Sequence, residues 1–508
     1  MLAPKARPSF FRAAMTAAAI ASLGTLPLQL LSNQSVMIRA DLHFGEAAQG
    51  LLVSVAFGIG ALVSVAITRF GEVHGRRPLT LLAAACTLAC ALGIALLAHH
   101  YLVLLLFVLI GGVGQAGLTT AANFSLSETV APGRQGLGFG VKQSAPPAAA
   151  LIAGLAVPAV GLWLGWRWTY GLLALSAVTL LLAATRIPRK AAPSAPGVRN
   201  SAAPTAATTD VPRSAAPIPQ TAAVATAATT DVPRSAAPIP QTAAVATAAT
   251  TDVPRSAAST HQTAGDPTAP ATNVPSSATL THKTAATTTA PTTDVPSSPP
   301  SPHPAQPPAP LESAPRSALF LTACAMLTAN GSAMALIAFL PQWAHLSGLS
   351  ASTAGFFVAA CSALAITGRL LVGAAADRRN GRNLPVVTLQ MAAGSIGLAL
   401  LALGNVPLVL IGGLVAFALG WSWPGLLIFA VVRLGRDRPN SAAAFVQAGA
   451  FAGGAFGPLL FGLVAGSAGY PAAWLVMAVG MAVGAALLTL ARRQFVADLK
   501  IRPVARTA

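Results

Sequence analysis

Charge is what this chain has least of. Asp, Glu, Lys and Arg make up 9% of its 508 residues, against about 25% in an ordinary soluble domain. A surface so poor in ionised groups does not face water over most of its area, which excludes a soluble globular protein. Cysteine is scarce as well: Cys86, Cys90, Cys324 and Cys361 all stand inside apolar runs, with no His or carboxylate at ligand spacing. Neither a disulfide framework nor a metal site is implied. The sequence also lacks a phosphate loop, a nucleophile–base constellation and zinc spacing, so neither enzymatic chemistry nor a cofactor is expected. A net charge of +18 would suggest nucleic acid in a soluble chain. Here the basic residues cluster in short segments between apolar runs, without interleaved aromatics, and no nucleic-acid partner is expected.

What the chain has instead is apolar runs of bilayer length, about 20 residues each. They lie near 13–33, 47–67, 78–98, 102–126, 138–161 and 168–187, then near 317–341, 352–374, 384–404, 407–432, 441–465 and 472–492. The first run follows Lys5, Arg7 and Arg12 and carries the polar Gln29, Asn33 and Gln34 near its end; this favours an uncleaved first span over a signal peptide. The fold class expected is therefore an all-α membrane protein of twelve spans in contact with the lipid bilayer. Most Lys and Arg residues fall on the side of the two termini, and only Arg39 and Arg167 fall on the other. By the positive-inside rule both termini are cytoplasmic, in a bacterial inner membrane.

Between the sixth and seventh runs the composition changes to Ala, Pro, Thr and Ser. TDVPRS recurs at Asp210, Asp231 and Asp252 and decays to NVPSS and DVPSS at Asn273 and Asp294, in steps of 21 residues (231 − 210). His261, His282 and His303 keep the same step and are repeat copies rather than a metal cluster. Such a segment cannot bury enough apolar surface to offset chain entropy and is expected to be a disordered cytoplasmic linker. The expected organisation is a six-helix half over 1–187, the linker over 188–316, a second six-helix half over 317–493 and a tail over 494–508.

The halves read as copies. Glu72 and Asp377 are 377 − 72 = 305 residues apart, as are Thr68 and Gly373, and Gly50 and Gly355; Gln143 with Gln447, and Gly165 with Gly469, are 304 apart. The charged turn after the second span, ITRFGEVHGRR at 67–77, therefore returns as GRLLVGAAADRRNGR at 368–382. Two parallel six-span units are a transporter architecture, with substrate between them near the midplane.

This turn resembles the G-x-x-x-D-R-x-G-R-R signature of the major facilitator superfamily. Gly373, Asp377, Arg378 and Arg382 carry it in the second half, with Gly381 displaced by one inserted residue. The first half keeps Gly75, Arg76 and Arg77, with Glu72 for the Asp and Thr68 for the Gly. The strings GVKQSAPP (140–147) and GWSWPGLLIFAVVR (420–433) are similar to the branch labelled cyanate- or nitroimidazole-permease-like. The resemblance implies a fold of two pseudo-symmetric halves and transport by alternating access. It also implies a cytoplasmic gating latch at these turns, in which Arg76 or Arg77 is placed to pair with Glu128. The rival reading of these arginines is a topology signal alone.

None of the thirteen carboxylates and none of the eight histidines falls in the middle of a span, which disfavours a pump for cationic drugs. Two cations do enter spans. Lys142 either snorkels to the cytoplasmic interface or pairs with Glu128, or else contacts an anion in the pathway; Arg369 is expected as an anchor near the latch. Further pathway candidates are Gln29, Asn33, Gln115, Asn123, Gln143, Asn330, Trp421, Trp423 and Gln447, each with interhelical bonding or packing as its alternative. Trp163, Trp166 and Trp168 suit an interfacial belt. The expected function is movement of a small neutral or anionic organic solute, with one copy of the chain sufficing. Efflux of neutral lipophiles and a non-transporting sensor or scaffold are the rivals.

Overall fold

The computed structural model describes residues 10–127, 140–187, 313–376 and 383–502. All the regular structure among them is helical. The helices are α1 (Phe10–Asn33), α2 (Ser35–Leu42), α3 (Glu46–His74), α4 (Arg76–Leu97), α5 (Tyr101–Ser127), α6 (Gly140–Leu164) and α7 (Trp166–Thr185). In the second half they are α8 (Arg316–Leu346), α9 (Ala351–Ala376), α10 (Leu384–Leu401), α11 (Val406–Leu434) and α12 (Pro439–Ile501). Eleven described helices are long and apolar enough to cross a bilayer. The last holds two spans: α12 runs 63 residues and bends at Gly469, whose φ of 84° and ψ of 164° are not helical. Twelve spans are thereby present, at the places the apolar runs indicate.

Gly165, at the joint of α6 and α7, has φ 92° and ψ 155°. Gly165 and Gly469 are the pair 304 residues apart, so the same left-handed joint, open to glycine at little cost, is used in both halves. The repeat is visible in packing too. A Cβ at Gly355 on α9 would lie 2.6 Å from Gly154 O on α6, and one at Gly50 on α3 would overlap the Pro458 carbonyl of α12. These positions match by the same offsets (355 − 50 = 305 and 458 − 154 = 304), so one close helix crossing is made twice between the halves. Without a hydrophobic drive between helices in lipid, such small-residue crossings let dispersion hold the bundle together.

Two features differ from the sequence reading. Residues 34–46 are not a plain outer loop: Ser35–Leu42 forms a short helix and Glu46 opens α3. Trp166 is 5% exposed and donates Nε1 to Asp41 Oδ2 at 3.0 Å, so it braces the outer surface instead of joining the belt; Trp163 and Trp168 remain exposed. Most of the linker and the gating residues Glu128, Asp377, Arg378 and Arg382 lie outside the described residues.

Candidate functional site

A cavity of about 160 Å³ lies between the halves. Its wall comes from α1, α3, α5 and α6 on one side and from α8, α9, α11 and the first arm of α12 on the other; α4, α7, α10 and the second arm of α12 add nothing to it. The repeat shows again. Thr25, Gln29 and Ser32 on α1 face it where α8 presents Asn330, Met334 and Ile337, each pair 305 apart, and Gln143 faces it opposite Gln447. The two walls differ in chemistry. The first half adds Gln115 and Gln143 to its polar groups, while the second adds Met326, Trp421 and Phe451. Among the described residues, no carboxylate or histidine lines the space.

Six residues singled out from the sequence therefore meet here: Gln29, Gln115, Gln143, Asn330, Trp421 and Gln447. Asn330 is braced by a 2.8 Å bond from Nδ2 to Ala450 O. Four others do not line the cavity. Asn33 is buried one turn beyond Gln29 and spends Nδ2 on Gln29 O at 2.9 Å. Asn123 lies eight residues past Gln115, about 12 Å along the helix axis at 1.5 Å per residue, beyond the cavity end. Lys142 is not among the residues that line the space, although its neighbour Gln143 is. Trp423 is fully buried and donates Nε1 to Gly420 O at 2.8 Å, closing a break in α11.

The cation in the cavity wall is Arg369, expected as an anchor of the latch. It is 6% exposed. Its two terminal nitrogens donate to the carbonyls of Gln143 and Trp421, its guanidinium carbon sits 4.8 Å from the centre of the Trp421 ring, and its Nε has no partner. No described carboxylate pairs with it. The sequence signal was available, as an arginine several residues inside a span; its place one turn before Gly373 drew the reading towards the turn.

The outer side of the cavity is sealed by contacts that sequence reasoning did not find. Arg39 reaches Tyr470 Oη at 3.3 Å and Glu46 Oε1 at 2.6 Å. Tyr470 stacks on Trp343, with ring centres 5.1 Å apart and planes 8° from parallel. Gln49 Nε2 donates to Ala338 O at 2.8 Å, and Leu459 N–H to Ser54 Oγ at 3.0 Å. The bonds Arg39–Tyr470, Gln49–Ala338 and Leu459–Ser54 join one half to the other, while the Arg39–Glu46 pair and the Tyr470–Trp343 stack brace each side within its own half. Outside the spans, Arg167 pairs with Asp41 and donates to Ala98 O at 2.9 Å. Burial alone raises the Asp41 carboxyl, but hydrogen bonds from Arg167 and Trp166 and the Arg167 charge outweigh it and hold the group below 3.8.

At the opposite end of the spans, Gly75 joins α3 to α4 at φ 87° and donates its N–H to Gly71 O at 2.9 Å. Glu72 is exposed, Arg76 and Arg77 are half-buried beside it, and Gly373 sits on α9 next to a small cleft under Arg369. The expected pairing of Arg76 or Arg77 with Glu128 falls outside the described residues.

Comparison with known proteins agrees with this arrangement. Two solved structures of a bacterial homolog of the human lysosomal transporter Spinster, inward-facing and either unoccupied or occupied, each cover 97% of this chain and 99% of their own. Both are 13% identical to it, with TM-scores of 0.59 and 0.58, and at that identity the likeness is one of fold. No curated protein matches the chain by sequence. A family model, Major Facilitator Superfamily, matches residues 10–424. The chain therefore belongs to the major facilitator superfamily, a family of multi-pass membrane proteins that move small solutes by alternating access.

Proposed function

We propose that the solute carried is a small organic anion, bound in the central cavity with its negative group at Arg369. The observation that carries this reading is a buried guanidinium in a cavity wall to which no described carboxylate contributes. A charge that deep is costly unless function retains it, and arginine's planar fork suits a carboxylate or similar group. The asymmetric walls suit the rest of the molecule, with Met326, Trp421 and Phe451 against an apolar body and the amides of Gln29, Gln115 and Gln447 against polar substituents. A dry cavity of about 150 Å³ accommodates benzene, so a solute of one substituted ring matches the 160 Å³ here. Uncharged polar solutes are the competing reading, favoured by the same amides.

The remaining parts of the reading are supported by sequence. The bias of Lys and Arg towards the side of the termini supports cytoplasmic termini in a bacterial inner membrane. The absence of any nucleophile–base or phosphate-loop pattern supports a carrier with no enzymatic activity. The site is complete within one copy, which supports function as a monomer.

A thermal-stability screen of the purified chain tests the solute class, because a ligand that binds the folded state alone raises the midpoint by mass action. Benzoate, the uncharged benzamide and the lipophilic tetraphenylphosphonium cation are compared on wild type and on Arg369→Gln. Stabilisation by benzoate that is lost in the variant supports the anion reading. Equal stabilisation by benzamide moves it to uncharged solutes, and stabilisation by the cation alone overturns it.

A further inference from the structure

Arg369 does more than line the cavity. The two carbonyls it holds lie on opposite halves of the molecule; a proline leaves the first open and a break in the helix the second. Within a helix the Gln143 carbonyl would accept from the N–H of residue 147, but that residue is Pro147, which has none. In α11 the helix breaks at Trp421, with φ −115° and ψ 1°, before restarting at Pro424. Pro424 cannot serve Gly420, whose carbonyl takes Trp423 Nε1 instead, and the Trp421 carbonyl at the break goes to Arg369.

Backbone is brought close on both sides of this bridge. A Cβ at Gly140 on α6 would lie 3.1 Å from Arg369 O, and one at Gly425 on α11 would lie 2.8 Å from Gln143 Cγ. The bonds of Arg39, Gln49 and Ser54 tie the halves on the outer side of the cavity; the bond from Arg369 to Gln143 ties them towards the cytoplasm. The same guanidinium keeps an unpartnered Nε.

We infer that Arg369 couples occupancy of the cavity to opening of its cytoplasmic side. An anionic group arriving at the guanidinium makes charge-assisted bonds, roughly twice as strong as those to a neutral carbonyl. It draws the side chain off the Gln143 carbonyl and releases that tie between the halves. The anion then binds more tightly to the released arrangement and shifts the population towards it, which is the only way a ligand moves a conformational equilibrium. This inference rests on the anion reading proposed above.

Pro147→Ala separates the two. Alanine restores an N–H at position 147, so the Gln143 carbonyl returns to its own helix, while Arg369 and the cavity wall stay as they are. In the full chain in lipid nanodiscs, spin labels at Val73 and Ser441, exposed at the cytoplasmic ends of α3 and α12, report the separation of the halves. In wild type, benzoate is expected to enlarge the long-distance population and benzamide to leave it unchanged. In Pro147→Ala the long-distance population is expected to be enlarged without ligand, and benzoate to bind about fivefold more tightly, as one released hydrogen bond implies. An unliganded distribution identical to wild type overturns the tie whether or not benzoate binds. Failure of benzoate to bind any form, with the unliganded shift present, overturns the anion reading and leaves the tie standing. Arg369→Met serves if Pro147→Ala does not fold: methionine donates no hydrogen bond to either carbonyl, so its unliganded distribution is expected to shift in the same direction, and an unshifted one overturns the tie.

Discussion

A guanidinium held by two backbone carbonyls and an indole face, with no counter-charge among the described residues, is a costly arrangement in the middle of a bundle. Arg369 occupies that position, and the chemistry of the site turns on it. Tyr470 has a comparable part on the outer side. Replacing it with phenylalanine removes its bond to Arg39 and keeps the stacking on Trp343. The sealed outer face is then expected to weaken by about 1 kcal/mol, roughly fivefold in the opening equilibrium, read as faster labelling of Gln342→Cys by an impermeant thiol reagent. Unchanged labelling would count against a part for Arg39 in the seal. Asp41 gives a pH prediction. Its folded value lies below 3.8, so its contribution to stability is full above that value and is lost as pH falls through the lower folded one. The midpoint difference between wild type and Asp41→Asn is expected to be constant near neutrality and to shrink below about pH 4. A difference that does not change with pH would mean that the carboxylate's charge adds nothing.

Helices carry the next level. The double crossing of Gly355 on Gly154 and of Gly50 on Pro458 brings the outer parts of the halves together. Gly355→Val puts side-chain atoms where the Gly154 carbonyl stands and is expected to hold the outer face open, raising Gln342→Cys labelling more than Tyr470→Phe does. Labelling at the wild-type rate would show that the crossing is not needed for closure. Span positions were legible because twenty apolar residues in lipid have one solution, a helix that satisfies its own backbone. The repeat matched the spans that line the cavity, and Gln29, Gln143, Asn330 and Gln447, pathway candidates from the sequence, lie in its wall. The eight residues of α2 were not legible, since SVMIRADL is too short and too mixed to show a period. The seal was not legible either: Arg39 and Tyr470 are 431 residues apart, and no local pattern joins them. Pro147 was in plain view, but the carbonyl it frees is claimed by Arg369 from another helix, which no local pattern foretells.

At the scale of the whole molecule, the described residues of both six-helix halves pack into one compact unit. Removing residues 195–310 and rejoining the ends with a flexible linker long enough to span them is therefore expected to leave transport unchanged within about twofold; a loss of transport would give the segment a part in the cycle. The charge distribution, the paired crossings and the cavity between the halves all describe a carrier that alternates about a central site, and the account stands or falls on what that site binds. Counterflow in proteoliposomes is the direct test, with vesicles loaded with unlabelled benzoate and external radiolabelled benzoate, benzamide or tetraphenylphosphonium, using wild type and Arg369→Gln. The account predicts benzoate accumulation by wild type, at least tenfold less by the variant, and none of the other two compounds by either. Accumulation of benzoate that is equal in both proteins, or of the cation in preference to benzoate, would contradict it.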